Sequence, residues 1–231
     1  MANPLYDNLI SEHATNDACF LRQPGKPAVS FCQFSERTSQ VANLLLKHGL
    51  KPGDRVAVQA SKTIEMVILY GATIQAGGVF LSLNTDYKKD EISYFIKDAS
   101  PKIFVCDPQK RKELEDIADQ VGSQVLTLDK DGQGSLQSQA NILPKTFNTI
   151  DRGPDDLVAL LYTSGTTGRS KGAMLTQNNL LSNAKTLKNL WEVNEDDVLI
   201  HALPIFHTHG LFVALNTALL AGAEVTFFQK F

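Results

Sequence analysis

The segment of this chain whose residue types best suit chemistry is Tyr162-Thr-Ser-Gly-Thr-Thr-Gly-Arg-Ser-Lys-Gly172. Its two internal glycines, Gly165 and Gly168, let the backbone turn and bring its N–H groups close to an anion. Lys171 adds a mobile positive charge that suits a triphosphate. Further hydrogen bonds to phosphate oxygens would come from the hydroxyls of Thr163, Ser164, Thr166 and Thr167. The pattern therefore predicts a phosphate-binding loop.

Two other interpretations of this segment are weaker. A Walker A loop has Lys directly after its last glycine and Ser or Thr directly after Lys. Here two residues separate Gly168 from Lys171, and Gly172 follows the lysine. An ordinary Ser/Thr/Gly surface turn is the second alternative, but such turns seldom combine two spaced glycines with a lysine after an apolar strand.

A second candidate segment is Ile205-Phe-His-Thr-His-Gly210, which follows an apolar stretch expected to be a strand. Ligand sites of parallel α/β sheets gather at the carboxyl ends of strands. His207 and His209 are two residues apart, which does not place two zinc ligands on one helical face, so a zinc site is not predicted. A structural histidine is the ordinary interpretation of either residue from the pattern alone, and it is retained for His209.

The elements that must position these residues alternate between strands and helices. Helices are predicted at Phe34–His48, Thr63–Ala76, Asp90–Asp98, Gln109–Gln120, Gln177–Leu190 and Gly210–Leu220. Strands are predicted at Arg55–Ala60, Val79–Leu83, Lys102–Cys106, Gln124–Leu128, Leu157–Tyr162, Val198–Leu203 and Glu224–Phe228. Unbroken apolar strands between helices indicate an α/β fold of stacked parallel-sheet units with helices on both faces. The polar stretch 129–154 has no clear period and is predicted to be a surface loop that joins sub-units 1–130 and 155–231.

Composition excludes several classes of function. The net charge of −3 gives no basic excess for nucleic acid or an anionic membrane surface. No apolar run approaches the roughly 18 residues of a membrane span, and the N-terminus lacks the pattern of a secretory signal. The cysteines are Cys19, Cys32 and Cys106, widely spaced and odd in number, which is typical of reduced thiols. A cytoplasmic enzyme is the expectation.

The string Tyr162–Gly172, followed by Ala173-Met-Leu-Thr176, resembles the signature of the adenylate-forming (AMP-binding) superfamily of acyl-CoA synthetases, luciferases and peptide-synthetase adenylation domains. The resemblance covers the whole chain in the correct order. Further similar segments are Pro27-Ala-Val29, Leu50-Lys-Pro-Gly-Asp-Arg-Val-Ala-Val58, Gly77-Gly-Val-Phe-Leu-Ser-Leu-Asn-Thr85 and Leu203-Pro-Ile-Phe-His207. One departure is Gln177, where many relatives carry His.

The resemblance implies a two-step reaction with ATP, Mg²⁺ and coenzyme A. A carboxylate attacks the α-phosphate of ATP, and the thiol of coenzyme A then attacks the acyl carbon of the acyl-AMP. By resemblance, the β- and γ-phosphates are held by Thr163, Ser164, Gly165, Thr166, Thr167, Gly168, Arg169, Ser170 and Lys171. Lys171 would stabilise phosphate charge. The Thr163 hydroxyl is the candidate Mg²⁺ contact, and His207 lies at the acyl entrance.

Within the family, the segment 203–214, together with Arg169 and Ser170, most resembles malonyl-CoA synthetases. A malonate site needs a cation or several donors for the second carboxylate. His207, when protonated, could supply part of that charge, and the arginine expected for it would lie beyond residue 231. A ligase for a medium-chain, long-chain or aryl acid remains an alternative, and a non-catalytic interaction protein is the alternative from another class.

Family members run to about twice this length, so the resemblance implies that residues 1–231 are the N-terminal part of the AMP-binding domain. The adenine-binding segment, the ribose-binding Asp and the small C-terminal domain with its catalytic Lys have no counterpart here. The chain stops soon after a predicted strand that lacks its crossover helix, which is an unusual end for a domain. We therefore expect a fragment that has little or no activity alone.

Overall fold

The computed structural model describes residues 3–163 and 170–229. The strands are Cys19–Arg22 (β1), Val29–Ser30 (β2), Arg55–Gln59 (β3), Val79–Ser82 (β4), Ile103–Cys106 (β5), Gln124–Thr127 (β6), Leu157–Thr163 (β7), Lys171–Thr176 (β8), Val198–His201 (β9) and Glu224–Phe227 (β10). The α-helices are Pro4–Leu9 (α1), Phe31–Lys47 (α2), Ile64–Gln75 (α3), Lys89–Ala99 (α4), Arg111–Asp119 (α5), Ser135–Ala140 (α6), Gln177–Leu190 (α7) and Asn216–Ala221 (α8). Short 3₁₀ turns cover Ser11–His13 and Pro108–Lys110, and a π-helical segment covers His209–Leu215.

The larger sheet has the strand order β6-β5-β3-β4-β7-β8 and is parallel except for β8. Its central strands are covered on both faces, as their unbroken apolar sequences predict. Along β3, Val56 and Val58 pack in the core that includes α2 and α3, whereas Ala57 packs in the core that includes α4 and α5. The α/β fold with helices on both faces of a parallel sheet is thereby confirmed.

The smaller sheet has the strand order β2-β1-β10-β9. Strand β1 pairs in parallel with β10, although the two are separated by almost the whole chain. The Arg22 side chain forms an ion pair with Glu224 across this pairing, at 2.6 Å. Strand β10 pairs in parallel with β9, so the carboxyl ends of β1, β9 and β10 lie at one edge.

The sub-units 1–130 and 155–231 do not correspond to the two sheets, because each sheet contains strands from both ranges. Strand β1 belongs to the sheet of β9 and β10, while β7 and β8 complete the sheet of β3 to β6. Local pattern reasoning places neighbouring strands in one sheet, and it cannot see pairings made across 200 residues. The predicted loop 129–154 also contains a helix, α6, whose Leu136 and Ala140 are buried.

Two further differences concern the segments nearest the candidate site. The sequence predicts no strand between the phosphate-binding loop and α7, but Lys171–Thr176 forms β8, antiparallel to β7. The predicted single helix Gly210–Leu220 is instead a π-helical segment that continues into α8. Strand β8 is thus an antiparallel edge strand on an otherwise parallel sheet, as β2 is on the smaller sheet.

Candidate functional site

The predicted phosphate-binding loop connects the two strands of a β-hairpin. Thr163 at the end of β7 pairs with Lys171 at the start of β8, and its hydroxyl donates to the Lys171 carbonyl at 3.5 Å. Both side chains are exposed. Because β7 runs parallel to β4, the loop emerges at the carboxyl edge of the parallel strands. The predicted phosphate-binding residues between these ends, Ser164, Gly165, Thr166, Thr167, Gly168 and Arg169, lie outside the described residues.

Helix α4 supports the base of this hairpin through aromatic residues. The Tyr94 hydroxyl donates to the carbonyl of Ser170 at 3.0 Å. The Tyr162 ring packs 4.4 Å from that of Phe95, and its hydroxyl donates to the Asp98 carboxylate at 2.5 Å. Burial and the hydrogen bond to Asp98 raise the pKa of Tyr162 above its ordinary value, so the phenol stays a donor. Residues on each side of the loop are thus fixed to one helix.

The second predicted residue, His207, follows β9 and is exposed. Its ring lies 4.5 Å from that of Phe206, and its carbonyl accepts a hydrogen bond from the Leu211 amide at 3.1 Å. Ser82, at the end of β4, donates to the Phe206 carbonyl at 3.3 Å. The segment that carries His207 is therefore held by the carboxyl end of the larger sheet as well as by β9.

The buried histidine of this region is His201, not His209. His209 is exposed at the start of the π-helical segment, whereas His201 is 1% exposed. His201 Nε2 lies 2.8 Å from the Gly210 carbonyl, which can only accept, so Nε2 carries the proton. Nδ1 is then the acceptor for the Lys62 ammonium at 2.8 Å, and the His201 carbonyl accepts from the same ammonium at 2.9 Å.

Burial governs the titration of both members of this pair. It lowers the pKa of His201 to about 4, although the hydrogen bond to Gly210 acts in the opposite direction. Burial also lowers the pKa of Lys62 to about 7. Sequence reasoning missed the pair because the residues are lone members of distant segments. The only available signals in the sequence were a lysine three residues after the end of β3 and a histidine within an apolar strand.

The neutral state of His201 makes the free energy of unfolding depend on pH. Between its folded pKa of about 4 and its ordinary value of 6.5, the unfolded chain binds a proton that the folded chain does not. The stability from this group is complete above pH 6.5 and falls as pH drops towards 4, by about 2 kcal/mol at pH 5.

Urea denaturation of the wild type and His201→Gln at pH 7.5 and pH 5 measures this effect. Glutamine keeps a donor and an acceptor but does not titrate, so the variant should lose less stability on acidification. Equal losses in the two proteins would contradict the assignment of a buried neutral imidazole to His201.

A cavity of about 520 Å³ lies where the carboxyl ends of the two sheets meet. Its lining includes Ser61 and Lys62 after β3, Thr85 after β4, and Phe206 after β9. A second cavity, of about 580 Å³, lies beside β7 and β8 and reaches Arg55 and Val79 at the amino ends of β3 and β4. The first has the better position for ligand chemistry, because sites in parallel sheets form at the carboxyl ends.

Residues 3–163 and 170–229 contain neither a metal-ligand cluster nor a membrane-spanning helix. No three His, Cys, Asp or Glu side chains in these ranges are arranged to hold a metal ion. None of the helices described there is both long and apolar enough to cross a membrane.

Comparison with known proteins identifies the family of this chain. Residues 11–231 match the family model described as AMP-binding enzyme. The chain is 31% identical over 208 residues to the oxalate–CoA ligase of Arabidopsis thaliana. The aligned region covers 87% of the chain and 40% of the relative. The chain is also 30% identical over 179 residues to a mitochondrial malonate–CoA ligase of Bos taurus. That aligned region covers 77% of the chain and 30% of the relative.

The fold also matches solved structures over its full length. The ATP-bound structure of MatB from Rhodopseudomonas palustris superimposes with a TM-score of 0.97 and 50% sequence identity. The match covers 100% of this chain and 46% of that one. The chain thus spans less than half the length of these relatives.

Proposed function

Because this chain belongs to the AMP-binding enzyme family, we propose that it is part of a ligase that activates a carboxylic acid with ATP and transfers the acyl group to coenzyme A. The observation that carries the proposal is the β7–β8 hairpin. It brings the Thr163 hydroxyl and the Lys171 ammonium to the two ends of one glycine-rich loop at the carboxyl edge of the sheet. The 50% identity to a structure solved with ATP bound supports ATP as a substrate.

In the first proposed step, a carboxylate oxygen attacks the α-phosphorus of ATP. The bond between the α-phosphorus and the bridging oxygen breaks, and pyrophosphate leaves. The nine loop residues Thr163 to Lys171 hold the β- and γ-phosphates in this proposal, and Lys171 neutralises charge that grows on the leaving group. In the second step, the coenzyme A thiol gives its proton to solvent and attacks the acyl carbon, the bond from that carbon to the phosphate oxygen of AMP breaks, and AMP leaves.

The described residues fit a polyphosphate at this position. Thr163 and Lys171 are exposed, and the Thr163 hydroxyl has lone pairs left for a cation. Mg²⁺ normally keeps several waters and uses substrate phosphates with one or two protein oxygens, so a single hydroxyl suits it. We propose the Thr163 hydroxyl as the Mg²⁺ contact, and Mg²⁺ would screen the phosphate charge.

The proposed acid is malonate. Two relatives at 30% and 31% identity are ligases named for short dicarboxylates, malonate and oxalate. His207 is exposed after β9 and follows Phe206, which lines the cavity at the carboxyl ends of the sheets, and as an imidazolium it would favour a second carboxylate. A medium-chain, long-chain or aryl acid is the alternative substrate. We also propose that residues 1–231 are the N-terminal part of an AMP-binding domain in a cytoplasmic enzyme.

Pyrophosphate exchange with a panel of acids tests the substrate. In a ligase that contains this chain, malonate should support exchange with kcat/KM at least about tenfold above octanoate and coumarate, since a hydrogen-bonded second carboxylate gives strong discrimination. A preference for octanoate or coumarate would overturn malonate. The 231-residue chain alone should show no exchange, and measurable exchange would contradict this expectation.

Calorimetry separates the enzyme from a non-catalytic interaction protein. Titration of ATP into a ligase that contains the chain should give saturable binding that salt weakens, because phosphate charge contributes to it. If the ligase binds another macromolecule but has no affinity for ATP, the interaction protein would be the better interpretation.

A further inference from the structure

The strongest unassigned feature is the contact between Lys62 and His201, which joins the two sheets. Lys62 follows β3 of the larger sheet, and His201 is the last residue of β9 in the smaller one. The Lys62 ammonium bonds both Nδ1 and the carbonyl of His201, at 2.8 and 2.9 Å. It also lies 4.5 Å from the centre of the Phe227 ring, at the end of β10. One ammonium thus contacts the carboxyl ends of two neighbouring strands.

His201 in turn contacts Gly210, which lies at the far end of the segment that carries His207. The protonated Nε2 of His201 donates to the Gly210 carbonyl at 2.8 Å. His201 and Gly210 are the residues that flank segment 202–209. The imidazole therefore ties together the two ends of this segment, and Lys62 fixes the imidazole.

The chemistry of Lys62 argues against a role in stability alone. Its hydrogen bonds within residues 3–163 and 170–229 go to His201, and no carboxylate in those ranges forms an ion pair with it. Taking an ammonium out of water without a counter-ion costs free energy, which is consistent with its lowered pKa of about 7. Methionine would fill similar space at a smaller cost. What the lysine adds is the orientation of His201.

We propose that Lys62 is a positioning residue that acts through His201 to hold segment 202–209, and with it His207, in place for the acid. The statement that the segment serves a bound acid rests on the proposed function. The statement that Lys62 holds segment 202–209 in place, which is the mechanical part of the proposal, does not. Ser82 holds the middle of the same segment through the Phe206 carbonyl, so three contacts fix its beginning, middle and end. Lys62 itself need not touch the acid.

Hydrogen–deuterium exchange on the 231-residue chain tests the mechanical part. Lys62→Met removes the donors and should raise exchange across 202–211 at least tenfold, including the Leu211 amide that bonds the His207 carbonyl. Lys62→Arg retains donors and should restore exchange to within threefold of wild type. Lys185→Met, on the exposed face of α7, is the matched control and should change nothing in this segment.

Three results would overturn the proposal. These are unchanged exchange in Lys62→Met, a uniform rise over all peptides, and failure of Lys62→Arg to restore protection. Should Lys62→Met fail to fold, ¹⁵N spectra of wild-type His201 decide the matter. A proton on Nε2 with Nδ1 as acceptor supports the proposal, and a proton on Nδ1 overturns it, because Lys62 could then not donate to that nitrogen.

Kinetics of a ligase that contains the chain test the consequence for the acid. Lys62→Met should raise the KM for malonate at least tenfold while the KM for ATP stays within twofold, and Lys62→Arg should recover most of the loss. Equal effects on both substrates would mean a general structural role and overturn the proposal. A wild-type protein without ligase activity would refute the proposed function, and the exchange measurements would still decide the role of Lys62.

Discussion

Lys171→Ala is expected to slow formation of the acyl adenylate by about 10²-fold or more in a ligase that contains this chain. Lys171 is the first residue of β8 and its backbone lies opposite Thr163, which places the residue at the base of the loop. In the proposed mechanism, charge grows on pyrophosphate as it leaves, so the contact with Lys171 would be stronger in the transition state than in the bound substrate. The loss should therefore appear mainly in kcat, and less in the KM for ATP.

Pyrophosphate exchange measures this step directly. Lys171→Arg keeps the charge with another geometry and should retain more activity than Lys171→Ala. Lys185→Ala, on the exposed face of α7, is the control for loss of a surface lysine and should leave the rate unchanged. Exchange at the wild-type rate in Lys171→Ala would remove this residue from the mechanism.

Gly210→Ala should have the largest effect on the segment that carries His207. A Cβ at Gly210 would overlap the Pro204 carbonyl oxygen and lie 2.9 Å from its carbon. Both are backbone atoms, so no flexible side chain can move aside. Relief requires a shift of segment 202–209 or of the π-helical turn, with loss of the hydrogen bond from His201. We expect the free energy of unfolding to fall by about 3 kcal/mol and adenylation to be nearly abolished.

Gly153→Ala is a suitable control, because its added Cβ would meet only the Asp156 carboxylate, at 3.7 Å. Its free energy of unfolding should change by less than about 0.5 kcal/mol. Urea denaturation and pyrophosphate exchange on both variants separate stability from activity. A Gly210→Ala protein with wild-type stability would show that the segment adapts more easily than its contacts suggest.

The parts of the fold that the sequence predicts are those where burial alone determines the pattern. Strands β3, β4 and β5 are almost wholly buried, and α7 begins after Thr176, whose hydroxyl accepts from the Asn179 amide. Strand β8 escaped prediction because its residues Lys171 to Met174 are exposed and show no alternation. It is a strand because β7 supplies its hydrogen bonds, and that partner is not visible in its own residues.

The residues of the candidate site also fall into two groups, those that local sequence indicates and those that only the tertiary structure brings together. The loop and His207 stand in compact strings whose residue types suggest chemistry. Lys62 and His201 are 139 positions apart, and neither residue type indicates a partner. Their meeting depends on how β3 and β9 are placed in two different sheets, which is a property of the tertiary structure. The support of Ser170 by Tyr94 depends likewise on α4 packing beside the hairpin.

The pairing of β1 with β10 has a consequence for how the polypeptide is made. Residues 19–22 leave the ribosome before their parallel partner at 224–227, which follows about 200 residues later. At typical synthesis rates of 5–20 residues per second, that interval is roughly 10 to 40 s. During this time β1 can pair with β2 but has an open edge on its other side, which invites pairing with another chain. Strand β1 therefore keeps an unpaired edge until residues 224–227 are synthesised, and slow translation before residue 224 should increase aggregation.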